Sequence, residues 1–373
     1  MPEDVVITPD IQFVRELKKA GGDTLKKCYQ CATCSVVCPM SPDNKPFPRK
    51  EMIMAQWGMK DELAADPDIW LCHNCNDCSK YCPRGARPGD VLGAMRQKVI
   101  REKSVPAFMG NIVTDPKKTL VALAIPFVLF LVVLGFTGHL GIPTGDRIVY
   151  SKLFPIRYIE IIFMSAIALT GISYLISLSG FWTGISKQNG TSYSKGFVPA
   201  LVETVIEILT HKRFKKCGVN ADRKNGHLLV FYAFLGLLIT TIWITYYYYV
   251  PKIHSPIPLT DPMKWLANLS ALALIVGVLI LIFNRMKDKG FDTKSSSFDW
   301  TFVIMILLLA LTGILTELIR LSGIASLAYP MYFIHLLFVF YTIVYFPYSK
   351  LAHMGYRTLA ITYSKMTGRD ITL

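Results

Sequence analysis

Nine cysteines carry most of the legible chemistry of this chain, and eight of them fall in two copies of one pattern. The first copy reads Cys28-x2-Cys31-x2-Cys34-x3-Cys38-Pro39 and the second Cys72-x2-Cys75-x2-Cys78-x3-Cys82-Pro83. Three thiolates this close in sequence serve three corners of an iron-sulfur cubane, and the cysteine before each proline crosses to the other cubane. The expected ligand sets are therefore Cys28, Cys31, Cys34 and Cys82 for one [4Fe-4S] cluster, and Cys72, Cys75, Cys78 and Cys38 for a second. Structural zinc would instead show paired CxxC knuckles. A disulfide framework belongs to small secreted chains, and no cleavable apolar signal precedes Cys28. His73 lies between two ligands of a set that four cysteines already complete, so it is read as a neighbour.

Histidines at the ends of apolar runs form the second group. His335 and His353 are eighteen residues apart, which is five helical turns, so on an unbroken helix both point one way about 27 Å apart. They cannot share one haem. They suit two haems, one near each face of a hydrocarbon core about 30 Å thick. His227 opens the third apolar run level with His353, and the pair is expected to hold an inner haem. His139 closes the first run and is expected to join His335 at an outer one. A quinone site beside a haem needs protonatable groups, and Glu160 and Glu317, with Arg320 one turn on, are the candidates; the alternative is a structural ion pair or an interfacial carboxylate.

The elements that must position these residues follow from composition. The chain has 373 residues, 52% hydrophobic and 18% charged, with a net charge of +14. A soluble domain carries about 25% charge. The deficit lies beyond residue 118, where apolar runs of about 20 residues recur. Six spans are expected, at about 119–138, 156–180, 228–250, 263–283, 299–320 and 330–352. Lys187, Lys195, Lys212, Arg213, Lys215, Lys216, Arg223, Lys224, Arg285, Lys287, Lys289, Lys294, Lys350, Arg357, Lys365 and Arg369 fall in the loops on one side, against Arg147, Lys152 and Lys252 on the other. That asymmetry places the cysteine-rich head in the cytoplasm and accounts for the basic excess without nucleic acid. Val198, Leu201, Val202, Val205, Ile208 and Leu209, at helical spacing, are expected to lie along the inner membrane surface. Tyr246 to Tyr249 read as an outer aromatic belt.

The organisation expected is all-α: a helical two-cluster ferredoxin-like domain over residues 1–105, a linker over 106–118, and a six-helix transmembrane cytochrome b bundle over 119–373. In the head, Asp10 is expected to cap a first helix ended by Gly21-Gly22, Pro48 to open a second that runs through Trp57, and Pro88 to begin a third that reaches about Arg101.

The segments Cys28-Tyr29-Gln30-Cys31, Pro46-Phe47-Pro48-Arg49-Lys50-Glu51 and Leu71-Cys72-His73-Asn74-Cys75 resemble the small iron-sulfur subunit of heterodisulfide reductases. His335-Leu336-Leu337, Phe346-Pro347-Tyr348-Ser349-Lys350-Leu351-Ala352-His353 and Gly226-His227-Leu228-Leu229 resemble the dihaem cytochrome b subunit of respiratory nitrate reductases. That family has a further histidine ten residues along the second ligand helix, where this chain has Leu237. Counting ten residues backward instead reaches Cys217, which would make His227 an outer ligand and leave Cys217 or His211 for the inner haem. The two halves together resemble the C subunits of quinone-interacting membrane-bound oxidoreductases of sulfate reducers. The resemblance implies menaquinone as membrane partner and cytoplasmic flavin-bearing, heterodisulfide-reductase-A-like subunits feeding adenylylsulfate reduction. No G-x-G-x-x-G cradle or catalytic triad is present, so the chain reads as a relay subunit, with outer-side quinol oxidation feeding the clusters as the expected direction. The competing classes are a redox-sensing transporter, against which the spans lack midplane interruptions, and a haem-free anchor for a ferredoxin module.

Overall fold

Asp10 fixes the start of the first helix: its carboxylate accepts the N–H of Phe13 at 2.8 Å and caps α1 (Ile11–Lys19), which buries Phe13 and Leu17. The computed structural model describes residues 7–145, 147–190, 192–216, 218–219, 222–287 and 296–369, and among them every regular element is a helix. The head continues with α2 (Thr33–Val36), α3 (Arg49–Gln56), α4 (Lys60–Ala64), α5 (Asp68–Leu71), α6 (Asp77–Lys80) and α7 (Pro88–Lys103). Pro48 immediately precedes α3 and Pro88 opens α7, as their fixed φ favours. The expected linker is not extended: α8 (Ala107–Thr114) occupies it and buries Val113 against Tyr341, Tyr345 and Tyr348.

Six helices among the described residues are long and apolar enough to cross a bilayer. They are α9 (Thr119–Phe136), α10 (Ile156–Asn189), α12 (Arg223–Tyr249), α13 (Pro262–Met286), α14 (Ser297–Leu321) and α15 (Ala325–Val344), with α11 (Phe197–Thr210) between the second and third. At 34 residues α10 is about 51 Å long, well beyond the ~30 Å hydrocarbon core. Its surplus runs into the head, where Phe181 and Ile185 are fully buried and Gln188 and Asn189 donate to the carbonyls of Glu62 and Ala65.

The sixth span differs from expectation. The helix ends at Val344, and two single 3-10 turns, Phe346–Tyr348 and Lys350–Ala352, lead into α16 (His353–Met366). Pro347 lacks the N–H that would continue the ladder, so His335 and His353 do not share one unbroken helix. The released α16 packs between the head and the membrane helices. Gly355 makes this approach possible, since a Cβ there would collide with the Tyr174 hydroxyl of α10. That hydroxyl accepts the Gly355 N–H and donates to the Ala352 carbonyl, both at 2.8 Å.

Head and body thus share one core. Trp70 of α5 stacks on Tyr356 of α16 at 4.8 Å and 11°, and Phe181 of α10 meets both rings edge-on. Beyond α16, Arg369 reaches back to Asp68, which is fully buried beside Lys50. Replacing Trp70 with Ala should cost about 3–5 kcal/mol and release the head. Limited proteolysis should then cut the connection near residue 106 in the variant but not in the parent, and equal resistance of the two would contradict a shared core.

Candidate metal centres and their link to the membrane

The thiols gather in two groups of four. Cys28, Cys31, Cys34 and Cys82 are electrostatic neighbours, as are Cys38, Cys72, Cys75 and Cys78. The same local device builds each group. Gln30 and Ala32 in one copy, and Asn74 and Asn76 in the other, adopt left-handed backbone with φ of 62°, 68°, 52° and 66°. Such conformations cost energy for non-glycine residues and persist where the surroundings enforce them. Burial and the neighbouring thiols push Cys34 up to about 11 and raise Cys38 and Cys78 further. Thiolates in these positions need a compensating cation, which iron supplies; the donor set fits an iron-sulfur cluster. The second group lines a small cavity with Met40, Phe47 and Leu92, and the Asn74 N–H donates to Cys72 Sγ at 3.3 Å.

The second group faces the membrane body. Arg357 donates to the Cys72 carbonyl at 3.4 Å, Arg223 to the Asn74 carbonyl at 3.0 Å and Arg96 to the Ile69 carbonyl at 2.6 Å. Asp77 accepts the N–H groups of Gly218 and Val219 at 3.1 and 2.7 Å. Burial, with Arg213 and Arg96 nearby, pulls Arg357 down to about 9, so a high density of guanidinium groups surrounds this loop. The first group faces outward: Cys31 is exposed, as are Tyr29, Val36 and Tyr81 around it.

Three histidines meet where the second group touches the membrane helices. His227, one turn into α12, has His353 and His211 as electrostatic neighbours, and its ring lies 5.4 Å from that of His211 and 5.0 Å from Phe214. The Phe214 ring in turn lies 4.9 Å from His73, whose two ring nitrogens are buried without partners and which burial holds neutral. His353 directs Nδ1 to the Lys350 carbonyl at 2.5 Å and His211 directs Nδ1 to the Leu209 carbonyl at 3.2 Å. Metal-binding imidazoles use their second nitrogen in this manner. The His227 Nδ1 is buried and unpartnered. Imidazoles so arranged would suit a haem iron, which His227 and His353 would hold. By sequence His211 is only a substitute ligand; its left-handed φ of 51° at the end of α11 brings it beside His227. Cys217 lies outside the described residues, as do Lys289 and Lys294 and the side chain of Lys215.

The other expected sites are arranged differently. His335 packs on Thr312 and Gly313 of α14, with Nδ1 3.1 Å from the Thr312 hydroxyl. Phe130 of α9 touches both Phe333 and Phe340, so His335 is level with Phe130. His139 lies past the end of α9, where its backbone N–H donates to the Leu134 carbonyl at 2.8 Å and its Nδ1 lies 3.1 Å from the Thr137 hydroxyl. α9 carries the chain about 9 Å past the level of Phe130 before it ends at Phe136, which leaves His139 away from His335. Glu317 is held by Lys264 at 2.6 Å and Arg320 at 2.9 Å, and Glu160 accepts from Tyr249 at 2.5 Å. Both carboxylates are engaged in polar contacts at the head-distal ends of their helices.

Residues 24–86 match a family model described as a 4Fe-4S dicluster domain, and residues 119–370 match one described as citrate utilization protein B. The head is 38% identical over 93 residues to the C subunit of the H(2):CoB-CoM heterodisulfide,ferredoxin reductase of Methanothermobacter marburgensis, covering 25% of this chain and 50% of that protein. It is 31% identical over 115 residues to an iron-sulfur C subunit of the CoB--CoM heterodisulfide reductase of Methanocaldococcus jannaschii, covering 29% of this chain and 58% of that one. The chain thus spans about half the length of these relatives. Citrate utilization protein B of Escherichia coli is 27% identical over 315 residues, 78% of this chain and 79% of that protein. No solved structure matches. An iron-sulfur dicluster head related to the small iron-sulfur subunits of heterodisulfide reductases, joined to a membrane body of six long apolar helices, makes this chain a member of the citrate utilization protein B family.

Proposed function

We propose that this chain is the membrane-embedded electron-transfer subunit of an oxidoreductase, linking a lipid quinone, menaquinone in the resemblance drawn above, to soluble partner subunits on the cytoplasmic side. In this reading Cys28, Cys31, Cys34 and Cys82 hold one [4Fe-4S] cluster and Cys38, Cys72, Cys75 and Cys78 the other, while His227 and His353 hold a b-type haem at the head-side end of the bundle. His335 is the candidate ligand of a second haem at the far end. When bound, these groups supply one-electron transfer. The cytoplasmic orientation rests on the lysines and arginines on the head side.

The observation that carries the reading is the one-turn spacing of His353 and Arg357 on α16. His353 belongs to the imidazole group, and Arg357 donates to the backbone of Cys72 in the second thiol group. A single rigid turn therefore fixes the spacing between the two candidate centres. Arg357, Arg223 and Arg96 also offset negative charge on the cysteine loop, which favours a reduced cluster there. The exposed Tyr29, Val36 and Tyr81 beside the first thiol group offer a surface for a soluble partner.

A second reading of the partner, though not of the relay, comes from the relative matched over most of its length. Its name points to citrate utilization, and the soluble partner here would then act on a tricarboxylic acid instead of serving sulfate respiration.

Two experiments test the reading. Cys38→Ser and Cys82→Ser should each perturb the paramagnetic resonance of one reduced cluster and spare the other, with Cys38 affecting the cluster ligated by Cys72; both signals changing together in each variant would refute the crossed ligand sets. The reduced protein should have b-type absorption bands. His227→Ala and His353→Ala should remove about one haem per chain, whereas His211→Ala should retain it; loss in His211→Ala with retention in His353→Ala would reassign the ligand.

A further inference from the structure

The relay so far leaves the quinone without a place, and the acids first expected to receive it are engaged at the far ends of their helices. A different site lies on the head side. A partly open cleft separates the start of α14 from the end of α15, walled by Phe302, Met305 and Tyr345 and closed toward the head by Ser349 and Leu351. Phe298 and Ile306, which bound it on α14, fall within the first ten residues of that helix, so the cleft lies in the head-side half of the membrane.

Its polar groups are unusual. Most hydroxyls of these helices donate to a carbonyl one turn back, as Thr312, Thr316 and Thr342 do. Tyr341 and Thr301 line the cleft and make no hydrogen bond to any described residue. Tyr341 is only 6% exposed. Its hydroxyl is not sealed in the core and remains free to donate, so a group in the cleft can accept a hydrogen bond from it. An acyl chain cannot, whereas a ring with carbonyl oxygens on opposite edges takes one hydroxyl at each.

Continuity with the candidate centres singles out the occupant. Leu351 of the cleft wall and His353 are two residues apart, so their Cα atoms lie within about 7.6 Å. Lys350, between Ser349 and Leu351, is paired with Asp299 beside Phe298, which makes the head-side rim polar and charged.

We propose that this cleft binds the ring of an isoprenoid quinone, with the Thr301 and Tyr341 hydroxyls donating to its carbonyl oxygens and the ring held against Tyr345, Phe302 and Met305. The inference rests on the relay reading and deepens it by giving the quinone a site at the head-side end of the bundle.

The test is photolabelling of the full-length protein in lipid nanodiscs with an azido-naphthoquinone, followed by peptide mapping. Label is expected on peptides covering 298–306 and 341–351, displaced by excess unlabelled naphthoquinone. Thr301→Val combined with Tyr341→Phe should cut labelling by about tenfold, with iron and haem content unchanged as the check on folding. Labelling concentrated near Glu160 or Glu317, undiminished labelling in the double variant, or no displaceable label would overturn the site. Failure of the relay reading would instead appear as absent haem bands in the parent protein.

Discussion

The stacking of Trp70 on Tyr356 is the contact on which the rest of this architecture depends. Electron transfer falls off steeply with distance, so a soluble module and a membrane bundle form one conducting unit only if their facing surfaces are fixed. A flexible tether would not do this. Here the joint is a dry aromatic core of Trp70, Phe181 and Tyr356, one ring from each of three helices, and its geometry sets where the second thiol group lies relative to the membrane. Aromatic pairs of this kind add about 0.5–1.5 kcal/mol beyond the area they bury. A buried ion pair from Arg369 to Asp68 adds registry, since breaking it leaves a buried charge.

Placing the joint on α16 has a consequence for the centres. This helix exists as a separate element because Pro347 stops the sixth span, and its first residue is His353. One interruption of backbone hydrogen bonding therefore frees the helix that packs against the head, brings an imidazole to the His227 group and sends Arg357 to the Cys72 loop. The strained backbone in both cysteine runs belongs to the same economy of position: left-handed residues bend each run around its thiols, and the buried Cys34, Cys38 and Cys78 resist ionisation until a cation arrives.

The parts of this arrangement that rest on local pattern are legible in the chain. The doubled cysteine spacing by itself implies two groups of four, and the apolar runs imply all six long helices, since both signals lie within one turn or one window. What escapes depends on packing between distant segments. The extension of α10 to Asn189 is hidden because Trp182, Thr183 and Lys187 end the apolar run, although the helix itself continues into protein instead of solvent. Pro347 is visible as a break, but where the chain goes after it is decided by Gly355 and Tyr174, which are far apart in sequence. His139 matches His335 only on an assumed common depth, and the ring contacts of Phe130 correct it. The cleft at Tyr341 could not be foreseen, since a missing hydrogen bond leaves no mark in sequence.

The central claim is that the second thiol group and the His227–His353 group are held as close neighbours by α16. Spin relaxation of the two reduced clusters, measured with the haem oxidised and paramagnetic, addresses it directly. The account predicts that the cluster perturbed by Cys38→Ser relaxes faster than the other, and that this enhancement vanishes in His353→Ala. Equal relaxation of both clusters, or an enhancement confined to the cluster perturbed by Cys82→Ser, would contradict it.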